Sequence, residues 1–238
     1  MSNRKYINKA GDELYAVHFP GDNTEVLDMF TEYEIDRKIK VNSNISMISI
    51  MNRECWNHSP IRKQCQFNDI PLYNLAMNQT QWNNTLKMNY IIKCLEWIDT
   101  EYAFISDGRD VILVNDLDDA FIEKYKAFGK PILYNATPNS FPIIVEDINY
   151  IVHVKGNHKF LNAGVCFGKK KELLEFYKTA LELTKGSLDR NSEQEFIRQS
   201  FVRHQDIATY DSESKLFMNV HHGDSNFTIT DDKVQILI

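Results

Sequence analysis

Two carboxylates, Asp107 and Asp110, stand where an apolar run ends, in the stretch Ser106-Asp107-Gly108-Arg109-Asp110. Residues 102–105 are short and apolar enough for a buried parallel strand, and the run stops at Ser106. On a straight strand, residues three apart point to opposite faces. An Asp-Gly turn at Gly108 removes that conflict and lets both acids face one point. A second apolar run, 111–114, follows at once. Two hard oxygen ligands at the end of a buried strand suit Mg²⁺ or Mn²⁺. In open α/β sheets, ligands bind outside the carboxyl ends of the strands. An acidic hairpin tip facing solvent fits the same residues, and spacing alone leaves both readings open.

The elements that must position this turn follow from periodicity. Residues 45–50 read as a central strand, followed by a polar loop at 51–58. Pro60 suits the first turn of a helix over 61–67. Residues 70–75 read as a strand, with Pro71 near its start, where a missing donor is tolerated. An Asn- and Gln-rich loop at 77–84 contains Trp82 and leads into a helix with the stripe Met88, Ile91, Ile92, Leu95 and Ile98. After the acidic turn, Asn115 is the expected cap of a helix bearing Phe121, Ile122, Tyr125 and Phe128, which Gly129 and Pro131 end. Residues 132–134 are another strand. This alternation predicts an α/β fold with a mostly parallel sheet covered by helices.

The regularity then breaks. Pro138 and Pro142 mark an inserted loop over 137–160, with a β-like stretch at 148–154. Residues 160–168 read as an apolar strand interrupted by Gly164, where glycine permits either close approach of a ligand or a bulge. A helix over 172–183 follows, and Ser192 with Glu195 matches a capping box opening a last helix. Short strands are expected at 207–210, 215–220 and 233–238. Residues 1–40 are polar apart from 14–19, and read as a short strand or an added N-terminal extension. With no internal repeat or low-complexity linker, 1–238 reads as a single domain.

A net charge of -6 argues against a chain that is basic throughout and binds nucleic acid. Cys55, Cys65, Cys94 and Cys166 are spread widely, with no Cys-x-x-Cys pair, which argues against structural zinc and a disulfide framework. A reducing, cytoplasmic setting fits that usage. No N-terminal apolar segment reads as a secretory signal, and no apolar run approaches the ~20 residues of a membrane span.

Four segments together resemble the GT-A nucleotide-sugar glycosyltransferases. More narrowly, they are similar to the glycosyltransferase domain of procollagen lysyl hydroxylases and its bacterial and viral relatives. They are Asp107-Gly108-Arg109-Asp110, the aromatic-Leu-Asn-small-Gly run ending at Gly164, Glu193-Gln194-Glu195-Phe196, and Tyr210-Asp211 with Leu216, Phe217 and Asn219. The likeness spans roughly residues 45–238. It implies a GT-A, Rossmann-like fold with a small antiparallel C-terminal part.

It also implies roles. Asp107 and Asp110, with Gly108 between them, would hold Mn²⁺ or Mg²⁺ bridging the phosphates of a nucleotide-diphosphate sugar, UDP-linked by resemblance. Lys87 would lie near those phosphates, Asn162 and Gly164 against the donor sugar, and the segment carrying Ile50 and Asn52 against the base. Glu193 would be the acid beside the reacting sugar, as general base or as stabiliser of an oxocarbenium-like state. Serving the helix N-terminus is an equally simple use for it. The family places a His-Gly-Asn/Asp motif near its C-terminus as further metal ligand. His222-Gly223-Asp224 has that composition but comes before the last hairpin rather than after it.

The expected function is therefore metal-dependent sugar transfer from a nucleotide-sugar donor to a hydroxyl of a glycan, a protein side chain or a modified DNA base. A binding or assembly module that retains the fold without turnover is the alternative. A metal phosphohydrolase ranks below both, because no Asp-x-Asp-Gly-Thr nucleophile motif is present.

Overall fold

The computed structural model describes residues 4–21, 24–140, 151, 153–186, 193–220, 227–230 and 232–237. Its centre is a six-stranded sheet. In chain order the strands are β3 (Ile45–Ile48), β4 (Leu72–Tyr73), β5 (Tyr102–Ser106), β7 (Ile132–Thr137), β8 (Phe160–Lys169) and β9 (Ala208–Tyr210). In space they run β4-β3-β5-β8-β7-β9. β4, β3 and β5 pair in parallel, as do β7 and β9, while β8 runs antiparallel between β5 and β7. The sheet is thus mostly parallel and flanked by helices, as the alternation predicts.

The period-two pattern of the central strands divides the core between the two faces. Ala103 and Ile105 of β5 pack with helix α4 (Asn84–Trp97), helix α6 (Lys170–Leu183) and helix α7 (Glu193–Arg203), through residues such as Ile91, Phe176 and Ile197. Tyr102 and Phe104 face the other side. There they pack with helix α3 (Pro60–Phe67) and helix α5 (Asp119–Lys126), through Ile61, Phe121 and Tyr125.

That second face is also covered by a smaller sheet of β2 (Ala16–His18), β6 (Val111–Leu113) and β10 (Phe217–Asn219), in the order β10-β2-β6. Beyond it lie helix α1 (Thr24–Glu34) and a sheet of β1 (Lys5–Ile7), β12 (Lys233–Ile236) and β11 (Phe227–Ile229). β11 and β12 pair antiparallel, the hairpin expected at that end.

Several expectations change. The stretch read as an N-terminal extension supplies β2, the middle strand of the smaller sheet, with Leu14, Ala16 and Val17 fully buried. Of the two readings left open for the acidic turn, the hairpin falls away, since residues 111–114 do not fold back on β5. β6 pairs antiparallel with β2 instead, so the acidic turn links two sheets. The loop expected at 51–58 contains a short helix, α2 (Arg53–His58), because Asn52 caps it by accepting a bond from Cys55 N at 2.9 Å. The cap of α5 is Asp118, not Asn115; its side chain accepts from Phe121 N at 3.1 Å. The strand expected at 70–75 shortens to the two-residue edge strand β4. The β-like stretch at 148–154 and the capping Ser192 lie largely or wholly outside the described residues.

Candidate functional site

The carboxyl ends of β3 and β5 and the opening half of β8 meet at one end of the main sheet. There they wall a cleft of about 1130 Å³. Ile50, Asn52, Lys87, Asp107, Gly108, Asp110, Asn162, Gly164 and Glu193 all line it. Nine of the sequence-predicted site residues therefore converge. His222, the remaining expectation, lies outside the described residues.

Hydrogen bonds to its backbone fix the acidic turn. Asp107 N donates to Gly164 O at 2.8 Å, and Ser49 Oγ donates to Ser106 O at 2.9 Å. A Cβ at Gly108 would stand 2.6–2.7 Å from the tip of the Met51 side chain, which would have to shift. Asp110 O accepts from Phe19 N at 2.8 Å, which ties the far side of the turn to the end of β2. This places His18 beside both acids. Its Nε2 lies 3.4 Å from Asp110 Oδ2 and 3.6 Å from Asp107 Oδ2. One ligand atom from each of the three residues falls within 4.8 Å of the others, a set able to hold a divalent cation.

His18 is 2% exposed, and neither ring nitrogen has a hydrogen-bond partner of good geometry. Burial acts to lower its affinity for a proton, but Asp110 and then Asp107 outweigh that and raise it above the ordinary histidine range. The Asp110 Oδ1 atom is also buried without a partner. Sequence reasoning missed His18. Its signal was a histidine set inside the otherwise apolar run 14–19.

Gly164 sits in a break of strand register. Tyr134 of β7 pairs with Cys166 and Asn135 with Asn162, so Ala163, Gly164 and Val165 have no partner residue on β7. Such a bulge re-aims backbone at a site. Here Asn162 Oδ1 accepts from Gly164 N at 2.8 Å, and Gln194 Oε1 accepts from Ala163 N at 3.0 Å. The space a Gly164 side chain would occupy belongs to His18: a Cβ there would lie 2.2 Å from its Cε1 and 2.6 Å from each ring nitrogen.

On the other flank, Asn83 caps α4 by accepting from Thr85 N at 2.7 Å and Leu86 N at 3.1 Å, which fixes the turn carrying Lys87. Lys87 is 6% exposed and bonds Asp107 Oδ1 while its Nζ lies 3.2 Å from Glu193 Oε2. It is held firmly charged: the two carboxylates outweigh the desolvation that acts against the ammonium. Glu193, in the first turn of α7, is 7% exposed. Burial pushes it up to about 7, against the pull of Lys87 and with a push from Asp107. Its Oε1 has no hydrogen-bond partner.

Of the aromatics near the site, Tyr134 is core and fully buried, whereas Trp82 is 37% exposed on the cleft wall. Cys55 also lines the cleft. Burial, then Asp110 and Asp107, push its thiol up to about 11, so it is no thiolate nucleophile at neutral pH.

No family model matches the chain, and no curated protein matches it. Among solved structures it is similar to the crystal structure of a glycosyltransferase involved in the glycosylation of the major capsid of PBCV-1. The two share 12% sequence identity with a TM-score of 0.47, over 71% of this chain and 81% of that one. At that identity and score the likeness carries no residue role to this chain. No helix among the described residues is long and apolar enough to cross a membrane.

Proposed function

We propose that this chain is a metal-dependent glycosyltransferase that takes a sugar from a nucleoside-diphosphate donor, UDP-linked on the resemblance of its motifs, to an acceptor hydroxyl. The observation that carries this reading is the convergence of Asp107 and Asp110 in one cleft with Lys87 and Glu193 beside them. The two carboxylates, with the partnerless Asp110 Oδ1, fit a hard divalent cation. A bound Mn²⁺ or Mg²⁺ would neutralise the diphosphate as it leaves.

The chain's own residues do the rest. Lys87, held between Asp107 and Glu193, would offer its ammonium to the donor phosphates. Glu193, with Oε2 on Lys87, would take the proton of the acceptor hydroxyl as general base through its partnerless Oε1. The backbone of Ala163 and Gly164, held by Gln194 and Asn162, forms the wall for the donor sugar. Ile50 and the α2 N-terminus line the place for the base, with Trp82 as a stacking face.

A thermal-shift screen of UDP-, GDP- and TDP-sugars with Mn²⁺ tests this reading, followed by an assay of donor hydrolysis. One nucleotide class is expected to raise Tm only with metal present, and to be slowly hydrolysed. Stabilisation without any hydrolysis would favour the binding-module alternative. No response to any nucleotide sugar would remove the proposal.

A further inference from the structure

We infer that the third protein ligand of the cation is His18, presented by the smaller sheet, and that Gly164 is a glycine because the His18 imidazole needs its space. The inference rests on the metal-dependent reading above and deepens it by naming a ligand from the opposite end of the chain to His222.

A pair of acids alone does not define a cation site, but a buried imidazole aimed at them adds an independent observation. His18 is 2% exposed and both its nitrogens lack a hydrogen-bond partner of good geometry. Buried polar groups are nearly always hydrogen-bonded, and this ring has only two long ion pairs, to Asp110 and Asp107. The distances suit a shared cation better than direct bonds. At 3.4 and 3.6 Å from the carboxylate oxygens, Nε2 is too far for strong charge-assisted hydrogen bonds. Two ligand atoms each about 2.1–2.3 Å from one ion lie roughly 3 to 3.8 Å apart.

The backbone around His18 is clamped from both sides. Val220 N donates to His18 O at 2.8 Å, and Phe19 N donates to Asp110 O at 2.8 Å. The backbone that carries the ring is thereby held beside the acids. Gly164 closes the arrangement: its carbonyl holds Asp107 N, while its missing side chain leaves room for the ring. One glycine thus sets the positions of two ligands. A set of two carboxylates and one imidazole also predicts preference for Mn²⁺ over Mg²⁺, since Mg²⁺ favours all-oxygen shells.

The test is Mn²⁺ binding to the full chain, by calorimetry and by pulsed electron paramagnetic resonance, which detects a directly bonded imidazole nitrogen. Wild type is expected to show the nitrogen coupling. H18Q should lose it together with at least about tenfold in Mn²⁺ affinity, with a smaller loss for Mg²⁺. G164A, which must push the ring aside, should resemble H18Q, while H222A should keep both coupling and affinity. Circular dichroism melts confirm folding; should H18Q not fold, H18N and G164A carry the same comparison, with H58A as the control for the other described histidine lining the cleft. If H18Q retains the coupling, if H222A abolishes it, or if Mn²⁺ binds without nitrogen coupling yet is lost in D110N, His18 is no ligand and the functional reading stands without it. Absence of any Mn²⁺ binding to wild type would remove both.

Discussion

Lys87 offers the sharpest test of the proposed chemistry, because one charge is assigned two tasks. Its ammonium lies 3.2 Å from Glu193 Oε2, and both side chains are buried. At an effective dielectric of roughly 20, that separation is worth about 5 kcal/mol. In Lys87→Met the attraction vanishes while burial and Asp107 continue to favour the protonated acid. At 1.36 kcal/mol per pH unit the Glu193 midpoint should climb from about 7 by roughly 4 units. The sign follows from the proposed role. A general base works as carboxylate, so the wild-type rate should fall as pH drops through about 7. In the variant that fall begins near pH 11, leaving at pH 8 about a thousandth of the base ionised. Donor-hydrolysis rates against pH, together with infrared difference spectra of the protonated carboxyl corrected with E193Q, read the midpoint directly. A midpoint that stays near 7 in a folded Lys87→Met protein would refute the claim that Lys87 holds Glu193 ionised.

Two further expectations concern the scaffold. Asp211 is fully buried and accepts from Lys215 N at 2.8 Å, Leu216 N at 2.7 Å and Phe217 N at 2.9 Å, fixing the turn into β10, on which β2 and His18 are aligned. Asp211→Ala leaves those donors unpaired and should cost about 3–6 kcal/mol in urea denaturation; a loss below about 1 kcal/mol would show that water or another acceptor replaces the carboxylate. Gly168 packs away from the cleft, where a Cβ would lie 2.6 Å from Pro131 O and 3.1 Å from Ile132 Cα. Gly168→Ala should therefore destabilise by about 1–3 kcal/mol while leaving Mn²⁺ affinity as in wild type, and a parallel loss of affinity would argue against that separation.

The sequence alone was enough for the strand–helix alternation, the mostly parallel sheet and the acidic turn at the carboxyl end of β5. These are local properties. A buried strand must be apolar throughout, a helix must repeat near 3.6 residues, and an Asp-Gly turn bends where it is written. Positions 87, 162, 164 and 193 were selected by resemblance of short motifs, and the structure places all four along the cleft. Even the bulge was foreseeable, as one reading of a glycine inside a strand.

What only the tertiary structure decided is which element meets the acids from the other side. The apolar run at 111–114 looks the same whether it pairs back on β5 or crosses to another sheet, because periodicity records burial and not partner. Pairing with β2 turned an N-terminal stretch that read as an extension into the middle of a sheet and brought His18 to Asp110 across 92 positions of chain. It also gave Gly164 a second reason to be glycine, the volume of an imidazole 146 residues earlier in the chain. Contacts at such separations depend on strand register and packing of the whole domain, and neither is written in any local pattern.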